Sequence, residues 1–426
     1  MTEAISAIPL TPLAIFSCAF AGLWIAVRTS ARNRQSKTRY WFVEAYRVWR
    51  TRRRKAAGGG EAHVALAGMP PRSIRTTISA AGRIPTLLFY FPVLLHCLRL
   101  ALRHGGFTLP SVANPNIVCG GFRGESKMSY LSQIPPHQQH WVAPSLRLVA
   151  TPARKGASGG RHLEQEIAQA GLRFPLVVKP DIGSQGYGVR LLRSPAALDD
   201  YLDHFPSGEG FILQRYIDWE GEAGVHYLRK PGEARGRIFS LGFRCFPHVL
   251  GDGRSRLCTL IEADPRTRRM ARRHCRAVAA QLQRVPAKGE MVRLSLLGGV
   301  RTGGLYYDGS AYVTAALVAR FDEIARAMPD FHFGRFDVRF KSVEALGRGE
   351  DFQIMEVNGA SAEAIHIWDP EHSIAETYRV LFEQFRLLYE IGAQNRDRGY
   401  RPIGLGGYLA LQWKESRLLR RYPESG

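Results

Sequence analysis

The sequence predicts a globular protein of the α+β class with a transmembrane helix near its N-terminus. Its 426 residues are 45% hydrophobic and 23% charged, which is ordinary for a folded protein and enough for two or three lobes. Short apolar strands alternate with glycine-rich turns between residues 174 and 359, and a helical pattern follows at 374–391. Residues 8–27 contain no charged side chain. These observations set the expected organisation.

The uncharged segment at 8–27 is predicted to anchor the chain in a membrane. Its 20 residues would form about 30 Å of helix, one hydrocarbon thickness. Basic residues follow directly, and positive charge beside a span marks the cytoplasmic side. A signal peptide is disfavoured because no basic segment precedes the run and no small-residue cleavage site follows it, and a buried core helix is a further alternative. We therefore expect a single-pass protein of the bacterial inner (cytoplasmic) membrane, with its body in the cytoplasm.

The net charge of +22 is concentrated beside this predicted anchor, since residues 1–110 contribute +13 of it. We interpret 28–110 as a basic, helical juxtamembrane region that contacts the anionic cytoplasmic leaflet of the membrane. No recognised nucleic-acid-binding module accompanies the basic residues, so no nucleic-acid partner is expected. A second apolar stretch, Ile84 to Leu98, is short and contains two prolines. We favour a helix that lies on the membrane or docks on the body over a second crossing.

A lysine and a glycine-rich turn form the first motif that predicts chemistry. Residues 174–180 form a predicted apolar strand that contains Lys179, and the turn from Asp181 leads back into a second strand. Glycines let backbone N–H groups approach phosphates closely, and the lysine adds positive charge. The turn lacks the Gly-Lys-Ser/Thr of a Walker A loop and the helix of a Rossmann turn. An ordinary hairpin is the alternative interpretation.

Two carboxylates and an amide lie in the last two predicted strands. Asp337 lies in an alternating strand, and Glu356 and Asn358 lie two residues apart in the next one. If the strands pair, these side chains and Arg339 share one face. Such hard oxygen donors suit Mg²⁺ that carries nucleotide phosphates. The alternative is that the carboxylates form salt bridges with Arg335 and Arg339.

The order of these motifs resembles that of ATP-grasp enzymes. Lys179 with its glycine turn, Glu222 after a third strand at 211–217, Asp337, and the pattern Glu356-Val-Asn358 occur in that order. The sequence looks most like the branch that contains D-alanine–D-alanine ligase, cyanophycin synthetase and ribosomal-protein glutamate ligase. The resemblance implies an ATP-grasp fold, with two α+β lobes around the nucleotide. The expected domains are a transmembrane anchor, the juxtamembrane region, the ATP-grasp domain and a C-terminal tail, at 1–27, 28–110, 111–395 and 396–426.

The resemblance also implies roles for individual residues. Lys179 would contact the α- and β-phosphates of ATP beneath a glycine-rich flap, Lys127 would be a further nucleotide lysine, and Glu222 would bind the ribose. The full set expected to bind ATP is Lys127, Lys179, Gly183, Ser184, Gln185, Gly186, Gly188, Gln214, Tyr216, Ile217 and Glu222, with the adenine hinge at 214–217. One or two Mg²⁺ ions, or Mn²⁺, would be held by Asp337, Glu356 and Asn358.

Arginines are the expected catalytic residues. Arg335 matches an arginine that stabilises the developing oxyanion in ligases of this type. The segment 248–257 resembles a Val-Gly-Asp-Gly-Lys/Arg motif of the cyanophycin-synthetase branch, so Arg254 and Arg256 would hold the γ-phosphate or an acyl phosphate. A surface hairpin with solvated arginines is the alternative. Arg293 and Arg301 are further candidates for the same pocket.

The reaction that the resemblance implies is ATP-dependent joining of a carboxylate to an amine through an acyl phosphate. Ser361, Glu363 and His366 are expected on the acceptor side, with a polar loop as the alternative. An ATP-grasp kinase and a membrane-tethered nucleotide-binding protein without catalysis are the rival functions. Residues 60–125 show no clean β-α-β pattern, so a preceding Rossmann-like lobe is not predicted and the two substrates stay unnamed.

Overall fold

The computed structural model describes residues 63–64, 68–70, 72–73, 79–154, 156–184, 186–295, 298–299 and 303–425. The chain divides into two units, 1–60 and 61–426, and the described residues all belong to the second. The predicted anchor at 1–27 and the first part of the basic region therefore lie outside the described residues. Two predicted site residues, Gln185 and Arg301, also lie outside them.

The first half of the described chain consists of a two-stranded sheet, two helices and a small lobe. In chain order these elements are β1 (His63–Val64), β2 (Arg72–Ser73), α1 (Thr86–His104), α2 (Lys127–Leu131), β3 (Ser145–Val149), α3 (Gly156–Gln169), β4 (Leu176–Pro180), β5 (Arg190–Leu192), α4 (Pro195–His204) and β6 (Gly210–Arg215).

The second half contains a larger lobe and two C-terminal helices. Its elements are β7 (Gly221–Leu228), β8 (Arg237–Cys245), β9 (His248–Leu250), α5 (Leu257–Ala263), α6 (Ala271–Ala277), β10 (Met291–Arg293), β11 (Leu305–Asp308), α7 (Ala315–Ala327), β12 (Phe333–Phe340), α8 (Val343–Gly347), β13 (Phe352–Asn358), α9 (Ile374–Asp397) and α10 (Leu405–Leu419). Short 3-10 turns lie between the elements of both halves, at Ala81–Arg83, Leu109–Val112, Val118–Gly121, Pro136–Trp141, Pro152–Arg154, Arg268–Met270, Ala279–Gln281, Ser310–Tyr312 and Ile365–Trp368.

The small lobe is a four-stranded antiparallel sheet with the strand order β3-β6-β4-β5. Its inner face packs on α3 and α4 through a core that includes Leu163, Val178, Leu198 and Leu213. Strands β4 and β5 pair directly, with Val178 opposite Arg190, which confirms the hairpin predicted around the glycine-rich turn. The turn therefore projects from one end of a well-packed lobe.

The large lobe is a five-stranded antiparallel sheet with the order β11-β8-β7-β12-β13. Successive side chains on a strand point to opposite faces, and apolar residues occupy one face here. That face packs on α7 through Leu317, Phe321 and Ile324. Helix α7 begins at Thr314, whose side chain accepts a hydrogen bond from the backbone N–H of Leu317. The mixed architecture confirms the α+β class, and the opposite face of this sheet carries the polar side chains of the candidate site.

The region predicted as a helical juxtamembrane segment is only partly helical. In its described part, β1 and β2 pair antiparallel before the chain enters α1. This helix is 19 residues long, and by length and composition it is the one described helix that could span a membrane, although a soluble core helix can pass the same test. Its inner face packs on α9 through Phe89 and Val93, in a core shared with Leu381. The prediction of a helix at 84–98 is therefore confirmed with a longer C-terminal end.

The segment predicted as a C-terminal tail is an integral part of the fold. Helix α9 starts with a capping box between Ser373 and Glu376 and continues to Asp397, past the predicted boundary at 395. Helix α10 follows, and Leu418 and Tyr422 enter the core of the small lobe. The prediction was wrong because the apolar spacing of α10 is weak in sequence and its partners lie more than 200 residues earlier.

Candidate active site

The polar face of the five-stranded sheet brings together the predicted metal ligands, Glu222 and the predicted catalytic residue Arg335. Strand register places Asp337 opposite Glu356 and Gly224, and Arg335 opposite Asn358 and His226. The β8 residues on the same face are Ser240, Gly242 and Arg244. The last two strands therefore pair, which is what the sequence analysis required for these side chains to share one face.

Two glycines form the floor of this face and leave room for larger neighbours. A Cβ atom at Gly224 would lie 2.8 Å from Cδ of Arg335, and one at Gly242 would lie 2.5 Å from Cγ1 of Ile365. Separations this short do not occur between real Cβ atoms and their neighbours. The bare backbone is therefore what allows Arg335 and Ile365 to lie across the sheet.

Asp337 is the buried anion at the centre of the site. Arg335 donates to both of its oxygens, from Nε at 2.6 Å and from Nη2 at 3.0 Å, and Asn358 donates from Nδ2 at 3.1 Å. Burial alone would raise the pKa of Asp337, but the charges of Arg335 and Arg244 outweigh burial and lower it. The Asp337 carboxylate therefore stays ionised in a site that solvent barely reaches.

The salt-bridge alternative holds in part. Arg335 does pair with Asp337, whereas Arg339 pairs with Glu222, with 3.1 Å between Nε and Oε2. Arg244 completes the network, since it donates to Glu222 and its Nη2 lies 3.6 Å from Asp337 Oδ2. Glu222, predicted to bind ribose, thus lies buried between two guanidinium groups.

The predicted metal ligands fit a divalent cation. Asp337 and Glu356 are direct cross-strand neighbours, and Asn358 is bound to the first of them. Carboxylate oxygens accept more than one hydrogen bond or metal bond each, so Asp337 retains acceptor capacity beside Arg335. Glu356 is 28% exposed, and its nearest cation, Lys127, is 3.7 Å away. Among the described residues no group of three or more His, Cys, Asp or Glu forms a metal site, so the predicted set depends on the amide of Asn358.

Lys179 lies beneath the acidic pair. Its Nζ donates to the carbonyl oxygen of Met355 at 2.9 Å and to Oε1 of Gln214 at 3.1 Å. Burial lowers the pKa of Lys179 to about 8, against the raising effect of nearby Glu356. Gln214 in turn donates to Met355 O at 3.1 Å, so its side chain links the small lobe to the large one.

The segment after β6 carries the chain from the small sheet to the large one. Tyr216 and Ile217 are half-buried and belong to no strand, and β7 begins four residues later at Gly221. A strand end followed by a crossing of this kind is where a hinge is expected. Their predicted role in binding adenine stays a prediction.

Lys127 and the glycine-rich flap meet across the mouth of the site. Lys127 is the first residue of α2, and its Nζ donates to the carbonyl oxygen of Gly183. The flap glycines Gly183, Gly186 and Gly188 have φ values of 155°, 72° and 69°, which favour glycine. The cavity at this point is lined by Lys127, Gly183, Ser184, Glu356, Asn358 and Ser361. Lys127, the flap backbone and Glu356 therefore converge on one space, and the buried Asp337 is the cross-strand partner of Glu356.

Asp181 is a supporting residue that sequence reasoning missed. One of its oxygens accepts from Ser126 Oγ at 2.7 Å and from the Met128 N–H at 3.1 Å. The other accepts from Nε of Arg147 at 2.6 Å. These bonds join the N-terminus of α2 to the small lobe and so fix Lys127 near the flap. The only indication of this role in the sequence was that Asp181 directly follows Lys179 and Pro180.

The acceptor-side candidates lie beyond Arg335. Arg335 Nη1 donates to the backbone oxygen of Glu363 at 2.9 Å, and Tyr90 of α1 donates to its carboxylate at 2.6 Å. Burial raises the pKa of Glu363, which lies close to Arg335. His366 Nδ1 and Ser240 Oγ are 2.6 Å apart, so His366 reaches the same face of the sheet. Ser361 is exposed at the cavity mouth.

Arg254 lies apart from this group. Its side chain is 87% exposed and pairs with Asp252 at 3.4 Å on a turn, as in the surface-hairpin alternative. Arg256 is also exposed and bonds Gln283 at 2.8 Å. Arg293 lies closer, with its guanidinium 3.2 Å from Glu220 and 3.7 Å from the centre of the Phe246 ring. Arg301 and Gln185 lie outside the described residues.

Comparison with known proteins identifies the lobe that carries Lys179. Residues 143–230 match the family described as a RimK-like ATP-grasp domain. This chain carries an ATP-grasp domain. The match runs from β3 to the end of β7, so it contains Lys179, the flap, the hinge and Glu222. It confirms the superfamily that the sequence resembles, and no curated protein matches the chain.

Several solved structures show low-scoring likenesses to this chain. The bifunctional glutathione synthetase of Pasteurella multocida is 15% identical, over 63% of this chain and 38% of that one, with a TM-score of 0.34. The D-alanine–D-alanine ligase of Bacillus anthracis is 13% identical over 64% and 68% of the two chains, with a TM-score of 0.36. The D-Ala:D-Ser ligase of Enterococcus faecalis is 12% identical over 63% and 62%, with a TM-score of 0.34. The match thus spans about two fifths of the first of these proteins, and likenesses this low carry no argument about substrate.

Arg244 is the main residue of the polar face that sequence reasoning missed. It lies in β8, which has no motif of its own, and it reaches Asp337 only because β8 pairs with β7 and β7 with β12. His226, fully buried on the same face, was also missed. Burial lowers the pKa of His226 to about 3, so its ring is neutral. A polar residue at every second strand position was the available signal.

Proposed function

We propose that this protein is an ATP- and Mg²⁺-dependent ligase that joins a carboxylate to an amine through an acyl phosphate. The observation that carries the proposal is a cavity lined by Lys127, the flap and Glu356, whose direct cross-strand partner is the buried Asp337. Lys179 adds a second buried cation, and the ATP-grasp match supports nucleotide binding by this lobe.

The residues present divide the work of the first step. Lys127, Lys179 and the flap N–H groups would hold the phosphates, and the hinge at 214–217 would hold adenine. When bound, Mg²⁺ would neutralise phosphate charge between Asp337, Glu356 and Asn358. The carboxylate oxygen of the substrate attacks the γ-phosphorus, the bond from that phosphorus to ADP breaks, and an acyl phosphate forms.

Arg335 serves the second step. The amine attacks the acyl carbon, charge develops on the carbonyl oxygen, and inorganic phosphate leaves with the bonding electrons. Arg335 lies between Asp337 and the Glu363 backbone, next to both the phosphate and acceptor sides. No nucleophilic serine or cysteine is required, because the acyl phosphate is already reactive. Glu363 is positioned to attract the incoming amine.

The proposal includes a location at the cytoplasmic face of the bacterial inner membrane. Residues 8–27 would span the bilayer once, and the basic residues after them would contact the anionic leaflet, with the catalytic domain in the cytoplasm. The two substrates would then be sought among soluble metabolites and membrane extracts alike.

Hydroxylamine trapping tests the reaction without knowledge of the amine. The full chain is incubated with ATP, Mg²⁺, hydroxylamine and a panel of carboxylic acids or membrane extract. A ligase yields an acyl hydroxamate and inorganic phosphate, because hydroxylamine attacks the acyl phosphate. A stable phosphoester would instead indicate a kinase, and bound but unconsumed ATP a nucleotide-binding protein.

Asp337→Asn supplies the negative variant for this experiment. Asp351→Asn is the matched control, since Asp351 is exposed and pairs only with Lys341 at 2.9 Å. Hydroxamate formation is expected to vanish in the first variant and to persist in the second. Equal rates in both would contradict the assignment.

A further inference from the structure

The outer face of α1 carries an apolar stripe that the fold does not use. Leu88, Phe91, Leu95 and Leu102 are 65%, 45%, 43% and 70% exposed. At the helical repeat these positions fall within an arc of about 60°. A soluble surface usually scatters its exposed apolar residues singly, so a continuous stripe of this kind marks a contact surface.

The opposite face of α1 already anchors the helix to the protein. Phe89, Val93 and Leu100 are buried in cores shared with α9. Tyr378 donates to the Phe89 carbonyl oxygen at 2.8 Å, and Arg396 donates to that of His104 at 2.7 Å. One side of the helix is therefore already packed on the protein. The exposed leucines lie on a different face from the one that forms the core.

The charges on the exposed side of α1 are all positive. Arg99 and Arg103 border the stripe on the side of Leu88, and both are exposed. The helix contains no acidic residue, and neither guanidinium has a carboxylate partner within the described part of the chain. Arginine stems lie along apolar surface while their charged ends reach outward, as at a lipid headgroup boundary.

We propose that the outer face of α1 lies in the interface of an anionic lipid bilayer, parallel to its surface. An anionic headgroup layer matches Arg99 and Arg103 in sign and accepts the leucine stripe beneath them. A second copy of this chain carries a net charge of +22, and residues 28–62 carry 11 basic side chains against 2 acidic ones. Either of these occupants would bring like charge to the two arginines.

This contact would place the candidate site close to the membrane. Tyr90 lies on the inner face of the same helix and bonds Glu363, whose backbone contacts Arg335. The acceptor side of the site would then lie about one helix diameter, ~10 Å, from the bilayer surface. The proposal concerns α1 itself, so it stands or falls independently of the proposed ligase reaction and of the predicted anchor at 8–27.

Site-specific photo-crosslinking in the full chain tests the occupant directly. A benzoylphenylalanine replaces Phe91, and the protein is reconstituted in vesicles of phosphatidylcholine and phosphatidylglycerol. Val285 is the matched control position, because it is 46% exposed against 45% for Phe91. Lipid adducts at position 91 are expected to exceed those at 285 by about tenfold or more, because the stripe inserts among acyl chains.

Three results would overturn the proposal. An adduct that links position 91 to a peptide from residues 1–62 would make that segment the occupant. A cross-linked dimer would make it a second copy. Lipid adducts at or below the level of the Val285 control would leave the stripe outside the bilayer. A membrane anchor elsewhere in the chain does not affect these outcomes, since the probe reports only its own surroundings.

A double substitution tests the role of the two arginines. The variant Arg99→Gln, Arg103→Gln is expected to give a lower lipid adduct yield at position 91 in anionic vesicles, by about fivefold for each arginine removed. In vesicles of phosphatidylcholine alone the yield should not change. Equal loss in both kinds of vesicle, or loss in neither, contradicts the role given to the two arginines.

Discussion

Asp337 shares its oxygens between an arginine and the place where a metal ion would bind. Arg335 and Arg244 keep it ionised, and Asn358 fixes its orientation. The same arginine contacts the backbone of Glu363 on the acceptor side. A side chain with two such partners can hold the reacting groups together, and this makes Arg335 the most informative single substitution.

Arg335→Lys is expected to slow hydroxamate formation by about 10²–10³-fold, because lysine cannot reproduce the planar contact with the developing oxyanion. ATP affinity, measured by calorimetry, should change by less than about threefold, since the positive charge beside Asp337 remains. Arg348→Lys is the control, because Arg348 is exposed and pairs only with Glu350. A large loss of ATP binding in Arg335→Lys, with turnover of bound ATP intact, would contradict this division of roles.

Lys179 predicts a pH dependence of nucleotide binding. Burial lowers its pKa to about 8, so the free protein loses this positive charge as pH rises through 8. The protonated form is the one that attracts phosphate, so ATP affinity should be highest below pH 8 and fall above it, by up to about tenfold per pH unit. Titration calorimetry from neutral to alkaline pH measures the slope. Lys179→Met should bind ATP weakly with no such slope, and an identical slope in that variant would exclude Lys179 as its source.

Among the elements, the C-terminal segment has the clearest link to the site. Tyr422 stacks on Phe205 and donates to the carbonyl oxygen of Ile182 at 2.7 Å, directly before the flap. Ser425 donates to the Gly186 carbonyl oxygen within the flap at 2.7 Å. The residues after α10 therefore hold the flap at its start and in its middle.

Tyr422→Phe together with Ser425→Ala is expected to loosen the flap without unfolding the small lobe, because the aromatic ring that packs on Phe205 is kept. Each lost hydrogen bond contributes about 1 kcal/mol, so hydrogen exchange of the flap amides should accelerate about fivefold or more. Exchange in β4 and β6 should not change. Unchanged flap exchange would mean that the C-terminal segment does not order the flap.

For the whole molecule, local sequence was enough to predict the paired strands that carry Asp337, Glu356 and Asn358, and the hairpin after Lys179. Both features depend on neighbours within about 25 residues, where strand alternation and turn chemistry act directly. Arg244, Tyr90 and α10 were missed because each reaches the site through contacts distant in sequence. Tyr90 meets Glu363 from 273 residues away, a separation at which no spacing rule applies. Arg254 shows the converse, since a motif-like turn can still lie on the surface.

The proposed reaction depends on a metal–nucleotide site at the acidic pair, and titration calorimetry with Mg²⁺ and ATP tests this site most directly because it needs no substrate. We expect the full chain to bind ATP with Mg²⁺. We expect Glu356→Gln to weaken this binding by about tenfold or more, and Glu350→Gln, at an exposed acid paired with Arg348, to leave it unchanged. Binding of equal strength in Glu356→Gln and in the unmodified protein, or no binding by the unmodified protein, would contradict it.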